Sequence, residues 1–173
     1  MPNVVLVIDM VKGFLEPGHN LYCGEESREI IPRVYGLLER EWATGSDILF
    51  ISDHHDPDDL EFQLFPVHCV KGTSEPDVIP ELNGFLAGDN MIPKNRYSGF
   101  FNTPLEAKLA NMNPEKIIIC GVCTDICVLH TASDARNRDY SVEVPADCVA
   151  SFKHDAHEWA LSHLKDILGV KVV

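Results

Sequence analysis

One cysteine in the stretch Lys116 to Ala135, KIIICGVCTDICVLHTASDA, stands where a strand hands over to a helix. Ile117-Ile118-Ile119-Cys120 is a short continuous apolar run, the pattern of a parallel strand buried on both faces, and it stops at Gly121. Thr124 and Asp125 offer N-cap side chains, and Val128, Leu129, Ala132 and Ala135 recur at helical spacing, which predicts a helix opening at once. Cys127 then lies in the first turn, where unpaired backbone N–H groups and the positive end of the helix dipole favour a thiolate. Most buried cysteines merely pack. Catalytic groups of open α/β sheets, however, collect at the C-terminal ends of strands, which makes Cys127 a candidate nucleophile. A thiol of pKa ~8.5 is only a few per cent ionised at neutral pH, so such a nucleophile needs a base and a cation.

The chain offers both. Val4-Val5-Leu6-Val7-Ile8 reads as a second buried strand and ends in Asp9. That carboxylate is either a turn former bonding the next amides or a general base whose pKa partial burial would raise. Lys94 follows Met91-Ile92-Pro93 and precedes Asn95-Arg96-Tyr97. A lysine is by default a surface residue, but between an apolar segment and aromatics it reads as part of a pocket wall, where its ammonium could stabilise a thiolate and a carboxylate together. Phe14 and Leu15, in a loop marked by Gly13, Pro17 and Gly18, supply apolar lining, and Tyr97 lies beside Lys94.

A second constellation follows the strand Ile48 to Ile51. Asp53 and His55 are two apart, so extended backbone points both side chains to one side, and the loop to Phe65-Pro66-Val67-His68 is long enough to return His68 to them. One carboxylate and two imidazoles suit one borderline divalent ion, Zn first and Fe or Mn as alternatives, with positions left open for water or substrate. Glu61 is a further ligand candidate and His54, facing the other way, a weaker one. The bland alternative is a solvated acidic loop that happens to contain histidines.

The elements that must position these groups follow in order. Ser27 is placed to cap a helix with Ile30, Ile31, Val34, Leu37, Leu38 and Trp42 on one stripe, Pro32 near its start and Gly45 at its end. Residues 72–88 read as an irregular excursion with at most one helical turn. Thr103-Pro104 opens a short helix carrying Leu105 and Leu109. Val142-Glu143-Val144 is a strand, His154 to Leu168 an amphipathic helix with Ala156, Trp159, Ala160, Leu164 and Ile167, and Val170 to Val173 a closing strand. This alternation predicts an α/β fold: a three-layer, doubly wound, mostly parallel six-stranded sheet with helices on both faces and Asp9, Lys94 and Cys127 at one edge.

Residues 1–173 are expected to form one domain. A net charge of −13 argues against nucleic acid and anionic membranes as partners, leaving a small molecule. No apolar run approaches the ~20 residues of a membrane span. Met1-Pro2-Asn3 leads straight into a strand without the features of a signal peptide, and three of the six cysteines crowd one strand–turn–helix, so the expectation is a cytoplasmic protein with reduced thiols.

Taken together, VLVIDM with Asp9, SDHHD with PVHCVKGT, Lys94 in IPKNRYSGF, GVCTDICV with Cys127, and PADCVAS resemble the isochorismatase-like cysteine hydrolases, and within them the nicotinamidases. The resemblance implies an Asp9-Lys94-Cys127 triad. It also implies a cis peptide at Val122-Cys123 turning the Cys123 N–H toward an oxyanion, a metal held by Asp53, His55 and His68, and Phe65 where relatives often stack a Trp on the substrate ring. Glu61 stands where some relatives carry a further metal-loop histidine, and Val11-Lys12-Gly13 departs from the usual first motif. The implied activity is hydrolysis of a small carboxamide, nicotinamide, to nicotinate and ammonia through a cysteine thioester, in NAD salvage. Relatives often form homo-oligomers, and no stripe here marks an interface. Two alternatives stand beside it. One is a metal-independent hydrolase of the same fold acting on another amide or an enol ether; the other is a redox or zinc module built on Cys123 and Cys127.

Overall fold

The computed structural model describes residues 2–173. Its framework is a parallel sheet built from β1 (Val4–Ile8), β2 (Asp47–Asp53), β3 (Met91–Lys94), β4 (Ile117–Val122), β5 (Val142–Val144), β6 (Val149–Ala150) and β7 (Lys171–Val172). The order is β3-β2-β1-β4-β5-β7, with β6 pairing β4 beyond the end of β5. From β1 the chain winds outward through β2 and β3, then returns to lay β4 against the other side of β1. That reversal opens a crevice outside the C-terminal ends of β1 and β4, the place where open α/β sheets bind ligands.

The central strands are apolar throughout because both of their faces are covered. On β1, Val5 and Val7 enter one core and Val4, Leu6 and Ile8 the other. The first core is closed by α3 (Ile31–Ala43), through Ile31, Val34, Leu37 and Leu38, and by a 3₁₀ helix, Pro80–Phe85, through Leu82 and Phe85. The second is closed by α4 (Leu105–Met112), α5 (Leu129–Arg136) and α6 (His154–Asp166). Packing decides these helices more than propensity does. Gly36 costs α3 about 1 kcal/mol relative to alanine, whereas each buried Val or Leu on its inner stripe contributes about 1.5–3 kcal/mol.

The expected three-layer architecture is therefore present, with the six expected strands and a seventh, β6, too short to leave a pattern. Several local expectations need correction. Phe14 and Leu15 lie in a short helix, α1 (Lys12–Leu15), rather than a loop. Ser27 sits inside α2 (Glu25–Arg28) and donates its hydroxyl to the Cys23 carbonyl instead of capping α3. Thr124 and Asp125 cap nothing, because Thr124 pairs with Nδ1 of His157 at 2.8 Å and Asp125 accepts from Ser151. The chain there forms a single π-helical turn, Thr124–Val128, before α5 begins. The 3₁₀ helix is longer than the one turn expected of residues 72–88. Trp42, Trp159 and Ile167, assigned to buried stripes, are exposed.

Two backbone positions fit β1 to β4. Asp9 takes a left-handed conformation, φ 50°, which turns the chain out of β1. Gly121, at φ 114°, lies so close to β1 that a Cβ there would stand 2.0 Å from the Ile8 carbonyl oxygen. Gly121→Ala is accordingly expected to lose about 3 kcal/mol or more of stability, read as a drop in the urea midpoint. A wild-type midpoint would contradict the close packing of these two strands.

Candidate active site

Each of the four adjacent strands ends in, or leads directly to, one reactive side chain. Asp9 follows β1, Asp53 ends β2, Lys94 ends β3 and Cys127 lies in the π turn after β4. The register Asp53↔Lys94 sets those two side by side on neighbouring strands. Lys94 Nζ lies 3.0 Å from Asp9 Oδ2, pairs with Asp53 Oδ1, and donates to Cys127 Sγ at 3.5 Å. The Asp53 backbone N–H donates to Asp9 Oδ1 at 2.8 Å. All four residues are buried. The residues assigned to the triad thus share one contact set, and Asp53 belongs to it as well.

Burial and charge set the protonation states. Burial, then the Asp53 charge, push Asp9 up to about 6 against the pull of Lys94. Burial opposes ionisation of Asp53, but Lys94, His55 and His68 hold its carboxyl well below the usual range. Burial likewise opposes the charge on Lys94, and the two carboxylates override it, so the ammonium persists. Burial pushes the Cys127 thiol well above its ordinary value; Lys94 pulls the other way, while Asp9 and Asp53 add to the rise. Burial therefore outweighs the helix-end pull toward a thiolate. A helix end contributes about 0.3–1 kcal/mol, whereas burial can shift a pKa by up to 3–5 units at 1.36 kcal/mol each. An ionised sulfur would also set three anions around one ammonium.

Beside this group lies a cleft lined by Phe14, Leu21, Phe65, Tyr97, Val122, Cys123, Ile126 and Phe152, with Asp9, Asp53, Glu61, His68 and Cys127. The peptide bond between Val122 and Cys123 is cis. Phe65 and Tyr97 meet edge to face, 6.4 Å between centroids, and Phe14 and Phe65 both pack on His68. Phe14, Phe65 and Tyr97 line the cleft as expected. Leu15, expected as lining beside Phe14, is buried in the core instead. Lys94 is not itself a lining residue but contacts Asp9, Asp53 and Cys127, which are. Leu21, Ile126 and Phe152 were not foreseen: Ile126 adjoins Cys127, but Leu21 and Phe152 arrive from distant segments.

Asp53, His55, Glu61 and His68 each offer a ligand atom, all within 4.8 Å of one another. His55 Nε2 and Glu61 Oε2 are buried without a hydrogen-bond partner. The other nitrogen of each imidazole is engaged, His55 Nδ1 by Asp59 Oδ2 at 2.9 Å and His68 Nδ1 by the Pro66 carbonyl at 2.7 Å. Both Nε2 atoms therefore face Asp53, at 3.5 and 3.7 Å. Two imidazoles and two carboxylates, with their distal nitrogens tied back, fit a divalent transition metal. Glu61 joins the set. His54 does not; its ring faces the Ser52 carbonyl at 3.4 Å. The zinc or redox module on Cys123 and Cys127 finds no support, since Cys123 Sγ contacts Cys23 Sγ at 3.8 Å while Cys127 faces Lys94.

Comparison with known proteins matches residues 3–172 to the isochorismatase domain. Among solved structures, the chain is similar to nicotinamidase PncA from Bacillus subtilis, 36% identical with TM-score 0.93 over 100% of this chain and 99% of that one. It is similar to the pyrazinamidase/nicotinamidase from Streptococcus mutans, 33% identical with TM-score 0.93 over 99% of each chain. It also resembles the pyrazinamidase of Pyrococcus horikoshii in complex with zinc, 29% identical with TM-score 0.89 over 100% and 99% of the two chains.

The protonation states are open to test by ultraviolet thiolate absorbance. At neutral pH, wild-type protein and Cys127→Ala are expected to show the same absorbance, because the sulfur carries its proton. Excess thiolate absorbance in the wild type would contradict a resting thiol.

Proposed function

The chain belongs to the isochorismatase family, and from that premise we propose that it is a nicotinamidase-type amidohydrolase that converts nicotinamide to nicotinate and ammonia. The observation that carries this reading is the contact of Lys94 with Asp9, Asp53 and Cys127 at the wall of an aromatic cleft that also holds a metal-type ligand cluster. A lone cysteine hydrolase site would not require the second half.

In the proposed mechanism the pyridine ring lies among Phe14, Phe65 and Tyr97 with its carboxamide carbon at Cys127 Sγ. As sulfur attacks, Asp9 accepts the thiol proton. Backbone N–H groups of Cys123 and Cys127 hold the oxyanion, each worth about 3 kcal/mol of transition-state stabilisation. Asp9 then returns the proton to the departing nitrogen, ammonia leaves, and a nicotinoyl thioester remains. Water enters, Asp9 takes its proton, and attack on the thioester releases nicotinate and restores the thiol. Throughout, Lys94 keeps Asp9 ionised at rest and balances the negative charge that passes between sulfur and oxygen. A divalent ion held by Asp53, His55, Glu61 and His68 would supply an anchor for the pyridine nitrogen and so favour this ring over benzamide-like ones.

The cleft holds about 30 Å³, the space of one or two ordered waters. Phe152, 40% exposed, is the most exposed of the aromatic side chains that line it. All six cysteines are free thiols and buried, which supports a reducing compartment such as the cytoplasm, where the proposed reaction would serve NAD salvage. Among the described residues no helix is long and apolar enough to cross a membrane.

Ammonia release from a panel of carboxamides tests the assignment. Cys127→Ala is expected to lose at least about 1,000-fold in turnover, while His68→Ala mainly raises KM for nicotinamide; full activity in Cys127→Ala would end the proposal. Indifference to chelators would instead favour the metal-independent alternative acting on another amide or enol ether. The pH profile carries a sign. Asp9 must be ionised to accept the proton and its pKa is raised to about 6, so kcat/KM is full above that pH. Below it, kcat/KM falls about tenfold per unit. A profile flat down to pH ~4, the ordinary carboxylate range, would contradict a raised pKa at Asp9.

A further inference from the structure

The acidic loop after β2 carries Asp56, Asp58 and Asp59, and only the last points inward. Asp56 pairs with Lys71 on the surface and Asp58 is exposed, whereas the Asp59 side chain is 4% exposed. Its two oxygens serve different ligands. Oδ2 accepts from His55 Nδ1 at 2.9 Å, and Oδ1 accepts the backbone N–H of Glu61 at 2.9 Å, capping the 3₁₀ helix Leu60–Gln63 that carries the Glu61 side chain. Arg96 Nη1 clamps both oxygens, at 2.9 and 3.1 Å, and comes within 3.9 Å of Glu61 Oε2.

We propose that Asp59, held by Arg96, is the positioning residue that readies two of the four metal ligands at once. It sets the imidazole of His55 with Nε2 free for the ion and aims the Glu61 carboxylate at the same point. The inference rests on the metal-assisted reading given above and assigns Asp59 no contact with substrate. Its chemistry is specific to a carboxylate. An asparagine has one acceptor oxygen and one NH₂ group, so it cannot accept from His55 and from Glu61 through separate oxygens. Either the cap of residues 60–63 is lost, or the NH₂ group faces His55 Nδ1. Nδ1 must then be the acceptor, the ring proton moves to Nε2, and Nε2 is closed to the metal.

The test is zinc affinity, by competition with a chromophoric chelator, on wild type, Asp59→Asn, the exposed control Asp58→Asn, and Arg96→Ala. Wild type and Asp58→Asn are expected to bind one zinc per chain with equal affinity. Asp59→Asn should bind about 10- to 100-fold more weakly while the zinc-free proteins keep similar Tm values, a split that a purely structural role would not produce. Arg96→Ala, at a side chain 37% exposed, should weaken zinc binding by a smaller factor. Wild-type affinity in Asp59→Asn would overturn the inference. Should that variant fail to fold, wild-type affinity in Arg96→Ala would do so. A wild-type chain that takes up no zinc would remove the metal-assisted reading itself, and this inference with it.

Discussion

A single buried ammonium makes this site possible. Lys94 lies between Asp9 and Asp53, two buried carboxylates at the ends of neighbouring strands. Two carboxylates sharing a dry pocket cannot both ionise without a nearby cation, and removing one partner from a buried ion pair costs about 3–5 kcal/mol. The same Nζ touches Cys127, while the far oxygen of Asp53 faces His55 and His68. Charge at Cys127 and charge at the cluster of Asp53, His55 and His68 are therefore not independent, because both are balanced through one lysine.

The fold delivers that arrangement without long-range coincidence. In a parallel sheet all strands end at the same edge, so four consecutive positions in the order β3-β2-β1-β4 bring Lys94, Asp53, Asp9 and Cys127 together by topology alone. Fine placement comes from backbone. The chain turns out of β1 at the left-handed Asp9, whose carboxylate accepts the Asp53 backbone N–H, and the missing side chain of Gly121 lets β4 close against β1. Rigid strand ends hold the reacting groups, and loops and the π turn add the aromatic lining around them.

This division explains what was legible in the sequence. Asp9, Asp53, Lys94 and Cys127 could be read because each terminates or closely follows an apolar run, and strand termini of an α/β sheet are where chemistry concentrates. The metal set was half legible: the Asp53-x-His55 spacing is local, but the choice of Glu61 over His54 depends on how the loop folds back. Asp59 was not legible, since nothing in Asp56-Pro57-Asp58-Asp59 distinguishes the one inward carboxylate from its solvated neighbours. The cap assigned to Thr124 and Asp125 failed because their side chains found tertiary partners, His157 and Ser151, that local pattern cannot foresee. The burial of Cys127 was not legible for a related reason: helix-end electrostatics is a local property, and the burial that opposes ionisation of the thiol is not.

Under the proposed mechanism the Cys127 proton moves to Asp9 as the bond to carbon forms, so base and nucleophile act in one step, and the acyl group then stays on sulfur until water replaces ammonia. Acid quench of the protein during turnover of nicotinamide, followed by intact and peptide mass spectrometry, tests this most directly. The account predicts a chain heavier by one nicotinoyl group, carried on the peptide containing Cys127. Turnover with the acyl group on any other residue, or with no acylated chain at any time point, would contradict it.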